Sequence, residues 1–165
     1  SFILNNTPLS NWIKLLNMGT RSTIGFIEAY TDNKDKDRYL YRKICKIYQQ
    51  YDGYLSGVGQ DLVDFLKSGK PVNGINSRDK KVFNGIGCLA AQYVAENKQG
   101  AGNLYITQLT DTQEYNYDVI WYWKKDSISP DKIMIKYQRK EYSIDEFQKL
   151  ITDGKWNGRI WYLVW

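Results

Sequence analysis

The hydrophobic period of this chain changes along its length, and that change constrains the fold more than any other feature. Residues 22–30 (STIGFIEAY) and 41–51 (YRKICKIYQQY) are rich in β-branched and aromatic side chains, which favour strands. In the second run Ile44 and Lys46 share one face while Cys45 and Ile47 share the other, so one face should be more buried. The charged loop 32–38 (DNKDKDR) joins the two runs as a hairpin. The spacing then becomes helical. Over 56–68, Val58, Leu62, Phe65 and Leu66 fall on one side, with Ser56 as N-cap, Gly69 as the stop and Pro71 just beyond. A second helix is expected over 79–97, with Val82, Ile86, Leu89, Ala90, Tyr93 and Val94 as its stripe, ending before Gly100-Ala101-Gly102. Strands return at 104–109, 117–124 and 132–138, the last two joined by a turn at 126–131 (DSISPD). Ser143 and Glu146 have the spacing of a capping box, opening a short helix that Asp153-Gly154 should end near Thr152. A final apolar strand is expected at 159–165 (RIWYLVW), central or covered. Strands and helices are grouped rather than alternating, which predicts an α+β fold: a single mostly antiparallel sheet, two main helices and a short C-terminal one.

Composition removes several classes of function. The 165 residues suffice for one domain with its own core. Residues 1–17 read as an N-terminal extension, and 18–165 as a single α+β domain. No apolar run approaches the roughly 18 residues a membrane span needs, so no membrane partner is expected. The absence of His removes the commonest general base and the commonest transition-metal ligand. With only Cys45 and Cys88, a four-ligand zinc site cannot be built. Both cysteines sit among apolar residues and read as free, buried core thiols of a soluble intracellular protein. The net charge of +5 favours acidic partners, nucleic acid weakly among them. The basic residues come as pairs (Arg42-Lys43, Lys80-Lys81, Lys124-Lys125, Arg139-Lys140) rather than as a stripe, so solubility accounts for most of the charge.

Four groups of residues carry chemical interest. Arg21 between Thr20 and Ser22, just before a strand, can fork onto a phosphate or carboxylate; it can equally tie down the chain. In 49–59 (QQYDGYLSGVG) a strand ends, Asp52-Gly53 turns, and a helix opens at Ser56-Gly57-Val58-Gly59. Its amides would suit an anion, while the bland reading is a tight strand-to-helix connection. Asn84-Gly85-Ile86-Gly87 places two glycines in a helix, for close packing or for close approach of a ligand. Gln92 beside them is a buried polar group needing partners. Among the aromatic clusters, core packing explains Trp121, Tyr122 and Trp123 best, whereas Tyr51 and Tyr54 lie in a Gly-rich loop and could stack on a ring. Catalysis finds little support: Asp52, Asp61 and Asp64 could hold Mg²⁺, but solvated Asp is the simpler reading for the latter two.

The segments Met18-Gly-Thr-Arg-Ser-Thr, Tyr48 to Tyr54, Ser56-Gly57-Val58-Gly59, Asn73-Gly74 and Phe83 to Gln92 together resemble a family of small uncharacterised proteins of bacteria, phages and large DNA viruses. The resemblance covers about residues 18–125 and implies a cytoplasmic or virion location, with no settled activity attached. The expected function is non-enzymatic binding of a small anionic, nucleotide-like ligand in a pocket formed by element ends, with no cofactor and no metal. Arg21 would pair with the anion, with Thr20 and Ser22 beside it. Amides near Ser56, Gly57 and Gly59, and near Asn84 and Gly85, would cradle it. Tyr51 or Tyr54 would stack on a ring, Asp52 would orient a hydroxyl or Arg21, and Gln92 would lie alongside. The alternatives are a protein-interaction or virion-associated module, and a metal-dependent phosphoesterase.

Overall fold

Strands β1 (Ser22–Thr31) and β2 (Tyr39–Gln49) pair antiparallel as the expected hairpin, with a bulge where Ile44 is left over between the Phe26/Cys45 and Ile27/Lys43 pairs. The computed structural model describes residues 19–35, 37–72, 81–123 and 130–160. The expected N-terminal extension, the turn at 126–129 and the apolar tail at 161–165 lie outside them.

After β2 a π-helical turn, Leu55–Gly59, leads into helix α1 (Gln60–Lys67). Two short strands follow, β3 (Lys70–Val72) and β4 (Val82–Asn84), paired parallel as a small separate sheet. Helix α2 (Gly85–Asn97), β5 (Leu104–Thr107), β6 (Tyr115–Trp123), β7 (Pro130–Tyr137), β8 (Lys140–Ser143) and helix α3 (Ile144–Ile160) complete the chain. Among the described residues the main sheet has six strands in the order β5-β2-β1-β6-β7-β8. Its pairs are antiparallel except β1 with β6, which run parallel at the centre. The fold is α+β.

Three local expectations are corrected. The second helix begins at Gly85 rather than near residue 79, because Val82–Asn84 pairs with β3 and Gly85 takes a φ of +80°. Val82 therefore belongs to a strand and not to the helical stripe. Ser56 is not an N-cap: it lies within the π-helical turn, where the carbonyls of Asp52 and Tyr54 already satisfy the Val58, Gly57 and Gly59 amides. The C-terminal helix opens where expected and continues past Gly154 to Ile160, so residues 159–160 are helical rather than strand. At its start Glu146 accepts the Ser143 N–H at 2.7 Å and its own N–H donates to Ser143 Oγ at 3.2 Å, a complete capping box.

The described helices cover one face of the sheet. Leu62, Val63, Phe65 and Leu66 of α1, Ile86, Leu89, Ala90 and Tyr93 of α2, and Phe147 and Ile151 of α3 pack on Ile24, Phe26, Ile47, Val119, Trp121 and Ile135. The other face holds a smaller apolar cluster of Ile27, Ala29, Ile120 and Tyr122, edged by Tyr39 and Met134. Alternation along the strands divides residues between the faces, so Thr23, Gly25, Asn116, Asp118 and Lys136 share this second face. No helix is long and apolar enough to cross a membrane among the described residues.

Candidate functional site

Two of the motif segments meet through their backbones. The Thr20 carbonyl accepts the Gly53 N–H at 2.9 Å, and the Gly53 carbonyl accepts the Tyr117 hydroxyl at 2.7 Å. The Arg21 carbonyl accepts the Tyr115 N–H at 3.2 Å, while the Arg21 side chain is exposed. Asp52 has a φ of 57°; its carbonyl takes the Val58 N–H at 2.8 Å and its carboxylate accepts the Tyr54 hydroxyl at 3.2 Å. Ser22 is fully buried, and Tyr51 is exposed.

The third segment lies elsewhere. Gly85 abuts Trp123, whose indole N–H donates to Glu28 at 3.1 Å, at the opposite end of the sheet from Ser22 and Tyr115. The strand between Ser22 and Ala29 separates them by about 23 Å at roughly 3.3 Å per residue. Asn84 and Gly85 therefore cannot share a pocket with Arg21 and Asp52. Gln92 is a fold residue: its amide donates to the Val82 carbonyl at 2.8 Å and to Cys88 Sγ at 3.2 Å, fastening β4 to α2.

The glycines of the second segment have a steric explanation. A Cβ on Gly57 would lie 2.1 Å from the Asp52 carbonyl oxygen, and one on Gly53 would lie 2.8 Å from the Arg21 carbonyl carbon. With the Gly57, Val58 and Gly59 amides bonded internally, the turn offers no anion cradle at those three positions. A cleft of about 230 Å³ does open there, lined by Tyr54, Leu55, Ser56, Tyr115, Tyr137, Ile151 and Gly154. Among the described residues its lining has no cation. Burial raises the Tyr54 and Asp61 pKa values; Asp52 and Asp61 add to the first shift, Asp64 and Asp52 to the second. Among the described residues no group of His, Cys, Asp and Glu could hold a metal.

The cations gather at the same end of the sheet, on the face that carries none of the described helices. A cleft of about 510 Å³ is lined by Lys46, Thr112, Glu114, Asn116, Asp118, Lys136, Tyr137, Gln138 and Arg139. Strand register builds its floor: Lys46 lies opposite Gly25, Gly25 opposite Asp118, and Asp118 opposite Lys136. A side-chain network braces one wall. Lys46 Nζ donates to the Asp111 carbonyl at 2.5 Å, Thr107 Oγ1 to the Asp111 carboxylate at 2.9 Å, and Thr23 Oγ1 to Asn116 Oδ1 at 2.7 Å. Arg139 sits on the two-residue turn between β7 and β8, where Gln138 and Arg139 both have positive φ, 47° and 67°. That turn type favours Asn-Gly, so two long side chains are held here against backbone preference.

The sequence carried signals for this site. Gly25 interrupts a strand, and a mid-strand glycine marks a bulge or a close approach; Asp118 stands in an aromatic strand, where Asp is depleted. Lys46 and Lys136 read as ordinary alternating polar residues, and Arg139 as half of a solvated pair. Both cysteines are free and half-buried rather than fully buried; Cys45 lies on β2 and Cys88 in α2, and burial pushes the Cys45 thiol pKa up.

Comparison with protein-family models, curated proteins and solved structures gives no match, so function is argued from this chain's own geometry.

Proposed function

We propose that the protein is a non-catalytic binder of a small anionic ligand of nucleotide-like size, held on the sheet face that the described helices leave uncovered. One observation carries this reading: Lys46, Lys136 and Arg139 line a single cleft of about 510 Å³, within the roughly 300–1,000 Å³ of small-molecule sites. The anion moves from the element ends near Arg21 to this cleft because three cations line it against two carboxylates, whereas no cation lines the helix-side cleft among the described residues. Strands fix Lys46 and Lys136, which limits the ordering cost of binding.

Calorimetric titration of the full chain with inorganic phosphate and with adenosine 5′-monophosphate tests the reading. The double variant Lys136→Ala, Arg139→Ala should weaken binding about tenfold or more, as expected for lost charge-assisted bonds. Both residues are exposed, so stability should stay within about 0.5 kcal/mol per site. Unchanged affinity in the double variant, or no binding by the parent protein, would overturn it.

A second reading, a protein-interaction module, draws on the sheet edge. Strand β5 pairs with β2 only over Lys46–Gln49, and Tyr41, Tyr105 and Ile106 are exposed beside it, Ile106 at 66%. The bulge at Ile44 and the charged Arg42 and Lys43 are features that discourage strand addition, which places this reading second.

A further inference from the structure

Asp118 is the group in the cleft that simple anion binding leaves unexplained. It stands on β6, in register between Gly25 and Lys136. Its carboxylate lies across Gly25, so closely that a Cβ there would be 2.2 Å from Oδ1. The strand thus carries a glycine where the carboxylate needs room. Among the described residues no hydrogen bond or ion pair reaches the Asp118 carboxylate. Half-buried beside the cleft, the carboxylate can accept hydrogen bonds at both oxygens from whatever fills the cleft.

The space beside it sets the size of the missing donor. Asp118 and Lys46 also line a hollow of about 50 Å³ with Gly25, Ile27, Lys43, Cys45 and Leu109. That volume holds a hydroxyl group or two and no ring. Lys43 and Lys46 at its rim oppose a ligand ammonium, while Asp118 and Glu114 oppose a second anionic group. Neutral O–H and N–H groups are the donors that remain, and hydroxyls are the smallest of them to fit the hollow.

We propose that the cleft takes the phosphate ester of a polyol, either a sugar phosphate or the ribose phosphate of a nucleotide. Lys136 and Arg139 hold the phosphate, and Asp118 accepts hydrogen bonds from the sugar hydroxyls over the gap that Gly25 leaves. This rests on the anion-binding reading and adds the part of the ligand that carbon and hydroxyl supply.

The full chain should be titrated with inorganic phosphate, ribose 5-phosphate and adenosine 5′-monophosphate, using the parent protein, Asp118→Asn and Gly25→Ala. Ribose 5-phosphate should bind the parent about tenfold more tightly than inorganic phosphate, the size of a bond to a charged acceptor. Asp118→Asn, which keeps the shape, should erase that preference while inorganic phosphate binds as well or better. Gly25→Ala keeps the charge but turns the carboxylate aside, and should erase the same preference. Tighter binding of adenosine 5′-monophosphate than of ribose 5-phosphate assigns the ester to a nucleotide, and the reverse order to a sugar phosphate. If Asp118→Asn raises affinity for all three ligands equally, Asp118 only repels anions and the proposal falls while anion binding stands. If no ligand binds the parent protein, both fall together.

Discussion

The two faces of the sheet use unusual residues for different purposes. On the helix-covered face several departures from ordinary strand or helix chemistry serve packing. Gly57 lets the Asp52 carbonyl approach, Gly69 clears the Phe83 ring, whose atoms a Cβ would meet at 2.6 Å, and Gln92 ties Val82 to α2. On the other face, Gly25 clears only the carboxylate end of Asp118, and the positive-φ pair Gln138 and Arg139 sits on an exposed turn. Residues kept against local preference without structural return are where function is expected.

The largest effect that could break this contrast is at Gly57. Gly57→Ala would force a methyl into a backbone carbonyl, which cannot move without unwinding the turn, and should cost about 3 kcal/mol in chemical denaturation. Gly25→Ala meets only the end of the Asp118 side chain and should stay within about 1 kcal/mol. Equal losses at the two glycines would show that the second face is structural as well.

The next effect has the opposite sign. Replacing Gln138 with Asn and Arg139 with Gly relieves two left-handed residues and should raise stability by about 1 kcal/mol, while weakening phosphate binding through the lost guanidinium. A less stable hairpin, or unchanged binding, would remove the argument that the turn is held for the cleft.

The smallest effect calibrates the covered face. The Ser143 N–H and hydroxyl beside Glu146 hold its carboxyl below the ordinary range. A lowered folded pKa means the contribution is complete above the unfolded value and disappears as pH falls through the folded one. Glu146→Gln should therefore shrink the stability difference between neutral pH and about pH 3, with little change in the acid limit. An unaltered difference would mean that the capping box contributes nothing measurable.

Much of the fold was legible locally. The β-branched and aromatic runs marked β1, β2, β6 and β7, the 3.6-residue spacing marked α1 and most of α2, and Ser143 with Glu146 marked the start of α3. Each of these signals depends on neighbours within one or two turns or strand residues. The short strands β3 and β4 were missed because three residues carry no usable period, and β8 because Gln138-Arg139 lacks the Gly or Asn that announces a tight turn. The candidate site depended on pairings that no local signal reports. Gly25 and Asp118 become neighbours only through the parallel pairing of β1 with β6, and Lys46 and Lys136 join them only through strand register. Register between distant strands is set by which side chains the helices bury on the far face, since a shift of one residue would turn Phe26 and Trp121 out of the core. The sequence by itself determined the longer strands and where the helices fall, because period and capping are local; the tertiary structure decided the short strands β3, β4 and β8, that the Arg21 and Asn84 motifs lie at opposite ends, and that an aspartate and three cations share one cleft beside Gly25.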